Sequence, residues 1–251
     1  MGDGVGVLTI NSFWGKRWSH MLLFGKDWRY KRLLRQAMRR IGRDGIDRLV
    51  IDVSLNTGGM AENVFYTLDY LTDKPVDITY TYLITDECRE KAKNNVDRSP
   101  YLSEADREYM MRYIDSVPDG TRFRTDTVRR MRYLPQRPTH GYDGEVYVLT
   151  SHQTYSAAQM FARYCQVLGV GKVAGQHCGG CYNAVTGNAA RVELPVSRWM
   201  QFQVPFREEV ISPDDEPYAY PTMDIPIEHP FEEWLHRENR SLERLLRMIE
   251  E

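Results

Sequence analysis

The residue best placed for chemistry is Ser156, which follows the apolar stretch 145–150 and a short loop and precedes an amphipathic segment. A strand would fix this hydroxyl and the loop would expose it. The first turn of a helix would direct unpaired N–H groups and a positive dipole end toward it. A serine nucleophile beside an oxyanion hole needs these conditions. The simpler alternative is that Ser156 only caps the helix, because serine is a favoured N-cap residue.

The segment after Ser156 has the apolar periodicity of a helix. Its apolar residues recur at helical spacing and predict one continuous buried stripe. The stripe consists of Ala157, Met160, Phe161, Tyr164, Cys165 and Leu168. The backbone N–H of Ala157 therefore lies in the first turn, where it could serve as an oxyanion donor.

A second strand-loop-helix occurs earlier in the chain. The apolar run Arg48–Val53 predicts a buried parallel strand, and it leads into the loop Asn56–Gly59 and a predicted helix. Paired glycines allow backbone N–H groups to point at an anion, although a structural turn is their default role. Functional loops of an α/β sheet gather at the carboxyl ends of its strands. Ser156 and the N–H of Gly58 or Gly59 are thus predicted to meet in an acyl-transfer site.

These stretches resemble the C-terminal (tail-specific) processing peptidases and their relatives, the tricorn core peptidase and interphotoreceptor retinoid-binding protein. The resemblance rests on IDVSLNTGG, VLTSHQTYSAAQMFA and GQHCGG, at residues 51–59, 148–162 and 175–180. The opening VGVLTINSF at 5–13 and the ending PTMDIPI at 221–227 match as well, so the similarity runs in order along almost the whole chain.

The resemblance implies an α/β, crotonase-like (ClpP/crotonase) fold of repeated ββα units. It implies a single peptidase-like domain over residues 1–251, with a partly helical insertion at about 86–140 and no PDZ module in this chain. The implied activity is that of a serine-type endopeptidase that hydrolyses peptides or proteins, including their C-terminal tails. No cofactor is implied, and the implied location is periplasmic or extracytoplasmic.

The chain departs from the family pattern at the general base. The processing peptidases place a lysine where this chain has Cys181. In this respect the chain resembles the tricorn-core and retinoid-binding branch, which also lacks the lysine. His177 lies in the corresponding loop and is the first substitute, because histidine is the natural base at neutral pH. His20 and His152 are further candidates, and a solvated surface role is the default for each. The base therefore stays unassigned, and we expect the isolated chain to be a poor enzyme.

Two other classes of function stay open. One is a non-catalytic peptide- or ligand-binding domain that keeps the fold and has lost the base. The other is an acyl-CoA enzyme of the wider crotonase group, which the lack of an evident Asp/Glu pair in the two loops disfavours. Labelling of Ser156 by a fluorophosphonate would separate a hydrolase from both.

A metal site is not expected at Cys178 and Cys181. The C-x-x-C pair with the adjacent His177 offers three ligands, whereas a structural zinc normally needs four. Cys178 and Cys181 are instead expected to shape the rim of the active cleft, and Cys165 to be a buried apolar residue.

Composition limits the remaining possibilities. The 251 residues are 42% hydrophobic and can form a substantial core. The 33 Lys and Arg against 35 Asp and Glu give a net charge of −2, which offers no general case for nucleic-acid binding. No apolar stretch approaches the ~20 residues that span a bilayer. The insertion carries an arginine-rich run between Arg122 and Arg137, which is expected to face solvent rather than a substrate carboxylate. It also carries a predicted helix from about 104 to 115, capped at Ser103.

Overall fold

The computed structural model describes residues 4–14, 28–180, 183–193, 196, 201–212, 223–236 and 239–250. The strands are β1 (Val5–Thr9), β2 (Arg48–Asp52), β3 (Val76–Leu83), β4 (Arg122–Arg124), β5 (Met131–Tyr133), β6 (Glu145–Thr150), β7 (Lys172–Gly175), β8 (Ala184–Glu193), β9 (Gln201–Val210) and β10 (Ile225–Pro226). The helices are α1 (Trp28–Arg43), α2 (Ala61–Leu68), α3 (Asp86–Asp97), α4 (Glu104–Ser116), α5 (Ala157–Val167), α6 (Phe231–Leu235) and α7 (Ser241–Glu250).

The chain divides into two compact units. The first unit comprises Met1–Lys74, Leu134–Asn183 and Tyr218–Glu251, and the second comprises Pro75–Tyr133 and Ala184–Pro217. The second unit therefore differs from the expected insertion at 86–140. It begins earlier and recruits a later stretch, because β3 pairs with β9. The interpretation of the chain as one catalytic domain stays a prediction.

The first unit is built on a parallel sheet with the strand order β1-β2-β6-β7-β10. Its central strands are apolar on both faces, as expected for a sheet covered by helices on both sides. On one face, Val50, Tyr147 and Leu149 pack with Leu245 and Ile249 of α7. The mixed α/β class with a parallel sheet is thus confirmed.

Aromatic contacts connect the helices α1, α2 and α5. Phe13, which follows β1, packs against Tyr30 of α1 and Phe161 of α5, with ring centroids 5.9 and 5.7 Å apart. Phe65 of α2 packs against Tyr164 of α5 at 5.7 Å. The predicted stripe on α5 is fully buried from Ala157 to Cys165. Its packing holds the N-terminus of α5, and so Ser156, in a fixed place.

The second unit is an antiparallel sheet of order β4-β3-β9-β8, with β5 also paired to β3. The predicted cap of α4 is confirmed, since the Ser103 hydroxyl accepts a hydrogen bond from Asp106 N at 3.2 Å. Helix α3 was not predicted from the sequence.

Arginines of the 122–137 run form ion pairs with nearby carboxylates. Asp77 binds both Arg130 and Arg132, and Asp106 binds Arg129 at 3.1 Å. Arg130 and Arg132, both beside Asp77, lower the pKa of its carboxyl, against the opposing effect of its burial. These charges are already neutralised, which argues against a substrate-carboxylate clamp. The helices within the described ranges are too short or too polar to cross a bilayer.

Candidate active site

Ser156 lies in a strained turn between β6 and α5. Its φ of 52° and ψ of −122° make it the only non-glycine residue with positive φ in the described part of the chain. Its side chain forms no hydrogen bond to the helix N-terminus, so the alternative of a simple side-chain cap is wrong. Strain of this kind persists where the surrounding structure imposes it, commonly at functional sites. A sharp strand-to-helix turn of this sort exposes the nucleophile in α/β-hydrolases.

The loop after β2 meets Ser156 directly. A Cβ atom placed on Gly58 would lie 2.7 Å from Ser156 Cβ, 3.0 Å from Tyr155 O and 3.1 Å from Ala157 N. Gly58 has a φ of 112°, a conformation that residues with a side chain rarely adopt. The structure therefore brings Gly58, Ser156 and Ala157 together at the carboxyl end of the sheet, and only glycine leaves the space before Ala157 N open.

The two glycines use their N–H groups differently. The N–H of Gly58 donates to Asn56 Oδ1 at 2.8 Å. Gly59 forms a parallel bridge with Phe13, in which Gly58 O and Met60 N bond to Phe13. In such a bridge the N–H of the middle residue points away from its partner. Neither Gly59 N–H nor Ala157 N–H makes a hydrogen bond to another described residue, so these two are the open donors.

Polar groups join the loops after β2 and β6. The backbone N–H of Tyr155 donates to Asn56 O at 3.1 Å. The hydroxyls of Thr154 and Ser151 donate to Val53 O and Ser54 O at 3.0 and 2.5 Å. These contacts fix the turn at Ser156 relative to the Asn56–Gly59 loop.

Asn56 is fully buried and has a structural role that the sequence analysis missed. Its Nδ2 donates to Ile10 O at 2.8 Å while its Oδ1 accepts from Gly58 N. The spacing N-x-G is a signal for such a turn, because an Asn side chain often bonds the N–H two residues later.

The loop after β7 packs on the serine loop. Gly179 N donates to Thr154 O at 3.1 Å. A Cβ on Gly179 would lie 2.2 Å from both His152 O and Tyr155 Cε2, so this position also requires glycine. His177 and His152 are both exposed. The structure places His177 in the loop beside the serine turn, but the Ser156 hydroxyl makes no hydrogen bond to His177 or to another described residue. His20 and Cys181 lie outside the described residues.

Cys178 is buried rather than placed at the rim of the cleft, which corrects the expectation from sequence. Burial raises the pKa of its thiol to about 12, although a hydrogen bond from Thr150 acts in the opposite direction. Burial also raises the pKa of the Cys165 thiol. Both thiols are therefore protonated and inert at neutral pH. Within the described ranges, His, Cys, Asp and Glu side chains form no group of three or more that could hold a metal ion.

The site thus combines an exposed serine at a strained turn, a helix N-terminus and two open backbone donors. This is the arrangement that serine hydrolases use to attack a carbonyl and bind the resulting oxyanion. Comparison with known families agrees, because the sequence model of peptidase family S41 matches residues 4–201. The chain belongs to peptidase family S41, which confirms the resemblance drawn from its motifs.

Solved structures are similar in fold at low sequence identity. Mature CPAF complexed with lactacystin superposes with a TM-score of 0.62 at 14% identity, over 88% of this chain and 46% of that one. The photosystem II D1 C-terminal processing protease superposes with a TM-score of 0.52 at 14% identity, over 89% of this chain and 42% of that one. A candidate peptidase from Parabacteroides merdae ATCC 43184 superposes with a TM-score of 0.62 at 14% identity, over 99% of this chain and 62% of that one. This chain therefore spans between 42% and 62% of these chains. None of the curated proteins is significantly similar.

Proposed function

We propose that this chain is a serine peptidase domain in which Ser156 attacks the carbonyl of a peptide bond. The observation that carries the proposal is the positive φ of Ser156, since the strain has no use in a helix cap. In this conformation the hydroxyl makes no hydrogen bond to the helix N-terminus, and Ala157 N–H stays open. The proposed architecture is crotonase-like, built from ββα units.

The proposed oxyanion hole consists of the N–H groups of Ala157 and Gly59. Gly58 contributes by lacking a side chain, because its own N–H is bound to Asn56 Oδ1. Each donor of an oxyanion hole contributes about 3 kcal/mol to the barrier reduction, and the positive end of the α5 dipole acts in the same direction. The chemistry requires no cofactor.

His177 is the residue that we propose as general base. Its loop is bonded to the serine loop through Gly179 N and Thr154 O, and its side chain is exposed. Hydrogen bonds of catalytic bases often form only with substrate present. Among the described residues none lies in hydrogen-bond contact with the Ser156 hydroxyl as a base, so we expect slow turnover unless substrate binding brings His177 into contact.

The proposed substrate is a peptide or protein, which is consistent with membership in a peptidase family. Cleavage near a C-terminal tail is proposed by analogy with the C-terminal processing protease among the similar structures. Of the described arginines, those beside Asp77 and Asp106 are not proposed to read the tail carboxylate, because they are paired.

Fluorophosphonate labelling followed by peptide mass spectrometry tests the proposal. We expect labelling at Ser156, slow hydrolysis of β-casein, and loss of both in Ser156→Ala. His177→Ala should lower the rate of casein hydrolysis by about 10²–10⁴-fold, and the exposed His152→Ala should not. Absence of both labelling and hydrolysis in the wild type would contradict a hydrolase and favour a binding domain. Unchanged hydrolysis in His177→Ala would contradict only the base.

A further inference from the structure

The outer edge of β1 carries main-chain groups that pair with no other described strand. Within the described strands, β1 is the end of its sheet and pairs only with β2. Ile10 N donates to Asp52 O at 2.9 Å and Arg48 N to Gly4 O at 3.2 Å, so the even-numbered residues bond to β2. In a parallel ladder the alternate residues then direct their N–H and C=O groups to the other side. Val5, Val7 and Thr9 therefore present these groups to the open edge.

A groove of about 400 Å³ lies between helix α1 and the C-terminal end of β1, where Thr9 of the open edge lines it. Its lining is mostly apolar and includes Ile10 and Trp14 on one side and Leu33, Leu34 and Ala37 on the other. Trp14 and Leu33 are 53% and 52% exposed, which is high for large apolar side chains. Free backbone groups beside an apolar groove suit an extended peptide, whose main chain pairs with the edge while alternate side chains enter the groove.

We propose that this edge groove binds an extended segment of the substrate polypeptide as an added strand, outside the bond that is cleaved. The inference rests on the proposed peptidase function, because that function makes an unfolded polypeptide the occupant. Recognition through the main chain fits a substrate that varies in sequence.

The chain that lines the groove leads directly to the candidate active site. The chain leaves β1 through Ser12 and Phe13, and Phe13 bridges Gly59 at the oxyanion hole. The Ser12 hydroxyl holds this turn by accepting from Trp14 N at 3.0 Å. Between an added strand and β6 lie about three strand spacings, or about 14 Å. Four to five extended residues cover that distance at about 3.3 Å each. The bound segment is thus a few residues removed from the cleaved bond.

Hydrogen exchange on the Ser156→Ala protein with excess unfolded β-casein tests the proposal. We expect the amides of Val7 and Thr9 to exchange at least tenfold more slowly with casein present. The amide of Leu8, already bonded to β2, should not change. Ala37→Trp fills the groove and should weaken casein binding at least tenfold. The matched Gln36→Trp, on an exposed position outside the groove, should leave binding unchanged.

The outcomes separate this inference from the proposed function. Suppose that the wild type hydrolyses casein, or that Ser156→Ala binds it, while the amides of Val7 and Thr9 exchange as fast as before. That result overturns the proposal for the edge groove and leaves the proposed peptidase function standing. No casein binding to Ser156→Ala also overturns it. Exchange at Val7 and Thr9 that slows with rising protein concentration in the absence of casein would mean that a second copy of this chain pairs with the edge. That result would also overturn the proposal. A wild type that is neither labelled nor active contradicts the peptidase, and casein protection at β1 then still supports the groove.

Discussion

At the scale of single residues, the backbone of Ser156 is the feature that separates a nucleophile from a cap. A serine cap needs an ordinary extended φ and a side-chain bond to the helix, and Ser156 has neither. The residue occupies a conformation that glycine adopts freely and other residues adopt at a cost of about 1–3 kcal/mol. Stability is thus lost locally to keep the hydroxyl exposed.

Replacing Ser156 by glycine should therefore give a more stable protein than replacing it by alanine. We expect Ser156→Gly to exceed Ser156→Ala by about 1 kcal/mol in the free energy of unfolding, after the greater flexibility of unfolded glycine is counted. Urea denaturation measures the difference. The control is Ser116 at the end of α4, where the glycine variant should be the less stable one. If the glycine variant were less stable than the alanine variant at both positions, the turn at Ser156 would be unstrained.

Gly58→Ala should slow the reaction strongly by filling the proposed oxyanion hole. The added methyl would lie 3.1 Å from Ala157 N and 2.7 Å from Ser156 Cβ. We expect fluorophosphonate labelling to slow by at least about 10²-fold, because a donor is blocked, and stability to fall by about 1–3 kcal/mol. Gly45→Ala is the control, since Gly45 also has positive φ but has open space around it. If Gly45→Ala slows labelling as much, strain alone explains the loss.

At the scale of elements, local patterns identified the two strand-loop-helix segments but not the contacts between them. A few consecutive residues are enough to predict the apolar strands β2 and β6 and the buried stripe of α5. The positive φ of Ser156 cannot be predicted in this way, because hydrogen bonds of Asn56 and Thr154 between segments distant in sequence impose it. Helix α3 was missed because it is polar, although its buried Cys88, Ala92 and Val96 recur every four residues. The extent of the second unit depends on pairing of β3 with β9, which no local pattern reveals.

The stability of the two loops of the candidate site should depend on the amide of Asn56. Asn56→Asp keeps an acceptor for Gly58 N–H but places a carboxylate oxygen against Ile10 O. Repulsion and burial would raise the pKa of this carboxyl in the folded state, so the variant loses stability as pH rises through the unfolded value near 4. We expect the deficit relative to wild type to be larger at pH 7.5 than at pH 4.5, measured by urea denaturation. The exposed Asn11→Asp should show no such dependence. An equal deficit at both pH values would mean that Asn56 does not donate to Ile10.

At the scale of the whole molecule, family membership and fold agree while overall length differs. The S41 match covers 4–201 and the similar structures cover at least 88% of this chain, yet the chain spans less than two thirds of each. The first unit alone contains the serine, the glycine loop and the edge groove.

Buried acids of the first unit should make it sensitive to alkali. Burial, followed by a hydrogen bond with Tyr66, raises the pKa of Tyr70 to about 12. Burial and the charges of Asp47 and Glu145 raise that of Tyr142 to about 12. The Cys178 thiol is raised to a similar value. A raised pKa favours the protonated form in the folded state. These groups therefore cost little below pH 8. They destabilise the fold as the unfolded chain loses protons, above about pH 8.5 for the thiol and about pH 10 for the phenols.

Tyr142→Phe removes one of these groups and should flatten the alkaline loss of stability. Between pH 10.5 and 11.5 each fully linked group lowers the free energy of unfolding by about 1.4 kcal/mol per pH unit. The variant should therefore lose less than wild type over that interval, by up to about this amount. Below pH 9 the two proteins should run parallel, offset only by the lost hydroxyl. Urea denaturation across the pH series measures both slopes. Identical slopes above pH 10 would show that Tyr142 ionises as readily in the folded protein as in the unfolded chain, and that its burial between β6 and the loop before it does not protect the phenol.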